Sequence, residues 1–174
     1  MDSSKKILIT GHLGFIGFHL AKRMITEGHS IMGIDSLNKY YSLKLKRSRG
    51  RELEKIKGNY TSVISDISED NILKRIKKFK PDQIINLAAQ AGVRHSLYKP
   101  EDYIKNNISS FLNLIKYSKD FGVEKIIYAS TSSVYGDQKK YPFEETMNTD
   151  FPLSFYAATK KSNEIIAHSF SYVY

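Results

Sequence analysis

Three groups of residues in this 174-residue chain have types and spacings that suit chemistry. Glycines recur every third residue in Gly11-His12-Leu13-Gly14-Phe15-Ile16-Gly17. Four hydroxyl side chains stand together at 130–133, and Tyr156 precedes Lys160 by one helical turn. A glycine-rich turn suits phosphate, and a phenol beside an ammonium suits proton transfer, so each group is a candidate part of a binding or catalytic site.

The glycine turn follows the apolar run Lys6–Thr10 and opens a helical stretch, which predicts a βαβ unit over 5–35. The free N–H groups and the dipole of a helix start favour an anion. Glycine permits tight turning and close approach of phosphate. The spacing is G-x-x-G-x-x-G and not G-x-G-x-x-G, but the flanking strand and helix favour a dinucleotide, whose pyrophosphate would contact Gly11, Gly14, Phe15, Ile16 and Gly17.

Two aspartates stand at the ends of predicted strands. Asp35 can accept hydrogen bonds from both adenosine ribose hydroxyls and would repel the 2′-phosphate of NADP, which predicts NAD as the cofactor. The alternative is a turn aspartate at a strand end. Asp66, followed by Ile67, can accept from the adenine amino group or cap the next helix.

Tyr156 and Lys160 share one face of the last predicted helix. A phenol is a poor base at neutral pH because its ordinary pKa is near 10, and a neighbouring ammonium lowers that pKa. The pair then suits proton removal from a sugar hydroxyl during hydride transfer. The hydroxyls at 130–133 follow the fifth predicted strand, at the end where doubly wound sheets bind ligands. The alternative interpretation of these hydroxyls is a serine-rich loop whose side chains make local hydrogen bonds with the backbone.

Strand and helix patterns alternate along the chain. Predicted strands are Lys6–Thr10, Ser30–Asp35, Tyr60–Ile64, Gln83–Ala88 and Lys125–Ser130. Predicted helices are Phe15–Glu27 (with a stripe of Ile16, Leu20 and Met24), part of Tyr41–Lys57, Glu69–Lys78, Pro100–Phe121 and a last one capped by Ser154. Alternating buried strands and helices predict an α/β, Rossmann-type doubly wound parallel sheet with helices on both faces, in one domain over 1–174.

The composition excludes several other classes. The chain has no cysteine, which rules out disulfides and cysteine-based zinc sites, and no metal is expected. Its start lacks a secretory pattern and no segment is long enough to span a membrane, so we expect a cytoplasmic protein without membrane contact. The net charge of +9 permits nucleic-acid binding. However, the dense run at 44–57 also contains glutamates and is typical of a solvated helix face, so no nucleic-acid partner is expected.

The motifs together resemble those of the extended short-chain dehydrogenase/reductases, specifically the nucleotide-sugar epimerases. They are TGHLGFIG at 10–17, GIDSLNKYY at 33–41, INLAAQAGVRHSL at 85–97, NNISSFLNLI at 106–115, YASTSSVYG at 128–136 and SFYAATKKSNE at 154–164. The DSLNKYY, AAQAGVR and SLYKPEDYIKNN segments look like those of UDP-glucuronate 4-epimerases, which serve polysaccharide biosynthesis.

The resemblance implies roles for individual residues. Tyr156 would be the catalytic base and acid, Lys160 would lower its pKa and bind the nicotinamide ribose, and Thr131 would share the O4 proton of the substrate. Further cofactor contacts would come from Asn38, Ala88, Ala89, Gln90 and Asn107. Asn107 also matches the structural asparagine that the family has near its active site. Ser132, Ser133 and Arg94 would contact the substrate.

The implied reaction is a 4-epimerisation of a UDP-sugar, with hydride taken from C4 and returned to the opposite face. A 4,6-dehydratase is the sibling alternative, but that group has an Asp-Glu pair where this chain has Ser132 and Ser133. Relatives run to about twice this length, so the sugar-binding C-terminal domain is expected to be absent and turnover poor. A non-catalytic NAD-binding module is therefore a second alternative. The family also implies a homodimer through helices near 100–121 and 154–172.

Overall fold

The computed structural model describes residues 4–174, with every side chain except those of Asp70 and Asn71; residues 1–3 of the predicted domain lie outside it. Its centre is a five-stranded sheet in which all neighbouring strands are parallel. The strands are β1 Lys6–Thr10, β2 Ser30–Asp35, β3 Tyr60–Ile64, β4 Gln83–Asn86 and β5 Lys125–Tyr128. The predicted parallel α/β sheet is confirmed.

The strand order is β3-β2-β1-β4-β5, so the chain moves outward from β1 in one direction and then returns to build the other half. Because parallel crossovers are right-handed, this reversal puts the first two crossover helices on one face of the sheet and the third on the other. The carboxyl ends of β1 and β4 flank the switch point, where doubly wound sheets bind their ligands.

The helices are α1 Phe15–Thr26, α2 Leu43–Glu54, α3 Asp70–Phe79, α4 Pro100–Tyr103, α5 Ser110–Phe121 and α6 Phe155–Val173. Single turns at His95–Leu97 and Ser132–Tyr135 are 3₁₀-helical. The chain divides into two compact units. The first runs to Ala88 and includes Lys116–Tyr128, so it contains the sheet; the second comprises Ala89–Ile115 and Ala129–Tyr174.

The core of the first unit is the contact between β1, β2, β4 and the helices α1 and α2. Its buried members are Ile7, Ile9, Ala21, Ile25, Ile31, Leu53 and Ile85. The row of α1 that faces this core is Gly17, Ala21 and Ile25. The buried row of α1 is therefore adjacent to the stripe that the sequence predicted. Of that predicted stripe, Ile16 is 64% exposed, whereas Leu20 and Met24 pack at the margin of the core.

Two strands end earlier than predicted. β4 stops at Asn86 and not at Ala88, because the backbone N–H of Ala88 donates to the Thr10 hydroxyl at 3.0 Å, outside the ladder. β5 stops at Tyr128 and not at Ser130, since Tyr128 pairs with the last residue of β4 and the next residue has no strand to join.

The long helix predicted over Pro100–Phe121 is interrupted, so that prediction was wrong in its middle. Residues Ile104–Ser109 form a π-helical turn between α4 and α5. Such turns insert one residue into an α-helix and often occur at functional sites. The inserted turn carries Asn107, whose side chain makes buried hydrogen bonds of its own.

Candidate functional site

The glycine turn joins β1 to α1 and has no room for side chains at its first and last glycine. Gly11 has φ +69°, and a Cβ there would lie 2.8 Å from the backbone nitrogen of Ala88. A Cβ on Gly17 would lie 2.3 Å from the carbonyl oxygen of Gly11. Gly14 is the N-cap of α1 and offers no side chain to its first N–H groups. The turn therefore presents backbone donors in a side-chain-free cradle, which fits a pyrophosphate.

The side chains of Phe15 and Ile16 are exposed at 69% and 64%, and their backbone N–H groups stand in the first turn of α1. In contrast, His12 in the same turn is fully buried. Its Nε2 lies 3.1 Å from the Ser62 hydroxyl. Burial lowers the pKa of His12 below its ordinary value of 6.5. This neutral histidine was not among the predicted site residues.

Asp35 ends β2 as predicted and is buried, with 6% of the residue exposed. Its Oδ1 accepts from the backbone N–H of Leu37 at 2.8 Å and from Lys46 Nζ at 3.0 Å. The same ammonium lies 3.5 Å from the amide oxygen of Asn38. Lys46 belongs to the charged run that was predicted to be a solvated helix face. That prediction was wrong for this residue, because the buried Asp35 carboxylate requires a cation beside it.

Asp66 does not cap α3, because the N-cap residue is Glu69. The Oδ1 of Asp66 accepts from both the backbone N–H and the hydroxyl of Ser68, each at 2.9 Å. Ile67 is buried. A contact of Asp66 with adenine stays a prediction.

Thr10 fixes the backbone beside the glycine turn. Its buried hydroxyl donates to Asn86 Oδ1 at 2.6 Å and accepts from the N–H groups of Leu87 and Ala88 at 3.2 and 3.0 Å. The Ala88 backbone is thus held where it contacts Gly11. Ala88 ends the first of the two chain segments that make up the first unit.

In the second unit, Asn107 ties three segments together. Its Oδ1 accepts from the N–H of Gln90 at 2.8 Å, while its Nδ2 donates to the Gln90 carbonyl at 3.2 Å and to the Thr159 hydroxyl at 3.0 Å. The π-helical turn therefore positions both the segment that contains Ala89 and Gln90 and the helix α6. These contacts are of the kind expected of a structural asparagine, and a contact of Asn107 with the cofactor stays a prediction.

Tyr156 and Lys160 both lie on α6, whose start is capped by Ser154 through the N–H of Ala157 at 3.1 Å. The fully buried Tyr103 ring packs edge-on against Tyr156, with 6.1 Å between centroids. Lys160 is 3% exposed, and burial lowers its pKa to about 8. Its ammonium form still predominates at pH 7, as the predicted role requires.

The remaining predicted site residues, one catalytic and three substrate-binding, lie in two short turns: Thr131, Ser132, Ser133 and Arg94. Thr131 caps the 3₁₀ turn, and its Oγ1 accepts from the N–H of Ser133 at 3.2 Å. Ser132 is exposed, and Arg94 is exposed at the start of the turn 95–97. Their substrate contacts stay predictions.

Among the described side chains of residues 4–174, no group of three or more histidine or acidic side chains could hold a metal ion. No helix in the same range has the length and hydropathy needed to cross a bilayer.

A side-chain-free turn after a central parallel strand, together with a buried acid at the end of the next strand, defines the class of dinucleotide-binding Rossmann-type folds. The chain belongs to the GDP-mannose 4,6 dehydratase family, whose model matches residues 8–174.

Three relatives illustrate the similarity. Protein CapI of Staphylococcus aureus is 47% identical over 97% of this chain and 50% of that protein. A probable UDP-glucuronate 4-epimerase of Rhizobium meliloti (strain 1021) is 42% identical over 97% of this chain and 50% of that protein. UDP-glucuronate 4-epimerase 2 of Arabidopsis thaliana is 41% identical over 97% of this chain and 39% of that protein. The chain spans about half the length of the first two and less of the third.

Solved structures show the same relation. The UDP-glucuronic acid 4-epimerase of Bacillus cereus, in complex with UDP-glucuronic acid and NAD, has a TM-score of 0.84 and 32% identity over 95% of this chain and 52% of that one. The UDP-N-acetylglucosamine 4-epimerase of Methanobrevibacter ruminantium M1 has a TM-score of 0.81 and 32% identity over 97% of this chain and 51% of that one. In both cases the match covers about half of the solved chain.

Proposed function

We propose that this chain is the NAD-binding part of a nucleotide-sugar 4-epimerase that acts on UDP-glucuronate. The proposal of NAD binding rests on the turn at Gly11 and Gly17, where any Cβ would meet backbone atoms at 2.8 Å or less. The substrate rests on the similarity to UDP-glucuronate 4-epimerases, one of which was solved with NAD.

Bound NAD would supply the hydride acceptor and donor. In the first unit, the residues proposed to hold it are Gly11, Gly14, Phe15, Ile16, Gly17, Asp35, Asn38, Asp66, Ile67 and Ala88. In the second unit they are Ala89, Gln90, Asn107, Tyr156 and Lys160. The buried carboxylate of Asp35, oriented by Lys46, supports recognition of ribose hydroxyls and therefore of NAD over NADP.

The proton chemistry belongs to the second unit. Tyr156 would take the proton of the substrate O4 when C4 is oxidised and return it when C4 is reduced, so there is no net redox change. Thr131 would share that proton, and the buried Lys160 ammonium would stabilise the phenolate. Ser132, Ser133 and Arg94 would contact the sugar. The edge contact of Tyr103 supports a fixed orientation of the Tyr156 ring.

A 4,6-dehydratase is the second candidate, since the family takes its description from one. Elimination of water across C5 and C6 needs an acid and a base next to the catalytic threonine. Serines occupy both positions after Thr131, and a serine hydroxyl cannot replace a carboxylate in this step. The sequence at 132–133 therefore favours epimerisation.

Two measurements on the 174-residue chain test the proposal. Calorimetric titration should show binding of NAD that is tighter than binding of NADP, and absence of NAD binding would contradict it. Chromatography of UDP-glucuronate after incubation reports conversion to its C4 epimer. Conversion that Tyr156→Phe abolishes, with NAD binding retained, supports the epimerase; NAD binding without conversion favours a non-catalytic NAD-binding module.

A homodimer is also proposed, through the helices near 100–121 and 154–172. Apolar side chains on both are exposed, with Leu112 at 37% and Ile165 at 60%. Exposed apolar surface of this kind favours association. Sedimentation equilibrium should give twice the chain mass, and Ile165→Lys should shift the distribution to monomer; a monomeric parent would contradict the proposal.

A further inference from the structure

Arg49 is a residue of α2 that reaches back to the glycine turn. Its Nη1 donates to the carbonyl oxygen of Leu13 at 3.1 Å. Leu13 lies between Gly11 and Gly14, so this bond holds the middle of the turn. Arginine and leucine are 36 residues apart in sequence. Its neighbour Arg51, two residues along the same helix, is exposed.

The same guanidinium also contacts the start of α1. Its central carbon lies 5.9 Å from the ring centroid of Phe15 and 6.0 Å from that of Phe18. These distances are within the range of cation–π attraction. Arg49 thus connects the turn to the first helical turn of α1. Only a planar cation can stack on rings and donate in its own plane, so lysine would not reproduce these contacts.

We propose that Arg49 is a positioning residue for the pyrophosphate, fixing the turn and the first N–H groups of α1 in their binding conformation. This inference rests on the proposed function, because it presupposes a dinucleotide at the turn. Glycines make the turn able to approach phosphate but also make it flexible. A flexible site loses affinity because binding must order it, and a contact from outside the turn reduces that loss.

The test compares Arg49→Met with Arg51→Met, which removes the same charge from the same helix. NAD and adenosine are titrated into each variant and into the parent chain. We expect Arg49→Met to weaken NAD binding about tenfold, the usual effect of losing one charge-assisted hydrogen bond. Arg51→Met should change it less than twofold, and adenosine, which has no phosphate, should bind all three chains equally.

Other outcomes overturn the inference. Equal losses in Arg49→Met and Arg51→Met would mean that net charge acts and not position. Parallel losses of NAD and adenosine would mean a general role in folding. If Arg49→Met does not fold, Arg49→Lys is the second variant, because it keeps the charge and the aliphatic stem. Arg49→Lys should weaken the binding of NAD but not the binding of adenosine. Parent-like NAD affinity in this variant would refute the positioning role of Arg49. If the parent itself does not bind NAD, the proposed function fails first.

Discussion

Gly33 in β2 lies directly against the buried ring of His12. A Cβ added at Gly33 would lie 2.4 Å from Cγ and Cδ2 of that ring and 2.8 Å from its Nδ1. Carbon atoms in ordinary contact are about 3.5–4.0 Å apart, so Gly33→Ala requires the ring to move by about 1 Å or more. Because the clash involves Cγ, which is close to the backbone, a simple rotation of the ring end does not relieve it.

The expected cost of Gly33→Ala in the free energy of unfolding is about 1–3 kcal/mol, the usual range for overpacking. The movement also strains the contact of His12 with Ser62. His12→Ala removes a fully buried ring and should itself cost about 1–3 kcal/mol. In the double variant the alanine methyl enters the space that the ring has left. The two effects should then be non-additive, with the double variant about 1–2 kcal/mol more stable than their sum.

Urea unfolding of the four chains measures this coupling, with coincident circular dichroism and tyrosine fluorescence transitions as the criterion for two-state behaviour. Gly50→Ala is the matched control. Its Cβ would meet Leu13 Cδ2 at an ordinary 3.5 Å, and within α2 the exchange should stabilise by up to about 1 kcal/mol. Coupling below about 0.5 kcal/mol, or a Gly33→Ala chain as stable as the parent, would refute the reasoning.

Three further predictions concern buried polar groups. Thr10→Val leaves the N–H of Ala88 without its acceptor and should lower the free energy of unfolding by about 1–3 kcal/mol, whereas parent-like urea unfolding would contradict this. Asn107→Ala removes three hydrogen bonds and should speed amide hydrogen exchange at Gln90; unchanged exchange would argue against the anchoring role. Burial lowers the pKa of Lys160 to about 8 from 10.5, so the unfolded chain binds more protons between these values, and stability should rise with pH over that window in the parent but not in Lys160→Met.

Much of the fold follows from local sequence. Apolar runs ending at glycine or aspartate predict β1 and β2 within the bounds observed, and Ser154 predicts the cap of α6. The reason is that burial, capping and turn conformation act within a few residues. The glycine turn is also predictable from local sequence, because glycine is the residue type that permits positive φ and close backbone approach.

The tertiary structure decided which polar side chains are buried and with which partners. Lys46 stands in a charged run, and only the position of α2 beside β2 brings it to Asp35. The π-helical turn at Asn107 interrupts a continuous helical pattern, because hydrogen bonds to Gln90 and Thr159 come from segments 17 and 52 residues away. Sequence periodicity reports which face of an element is apolar. It cannot report contacts between elements distant in the chain, since these depend on how the elements pack.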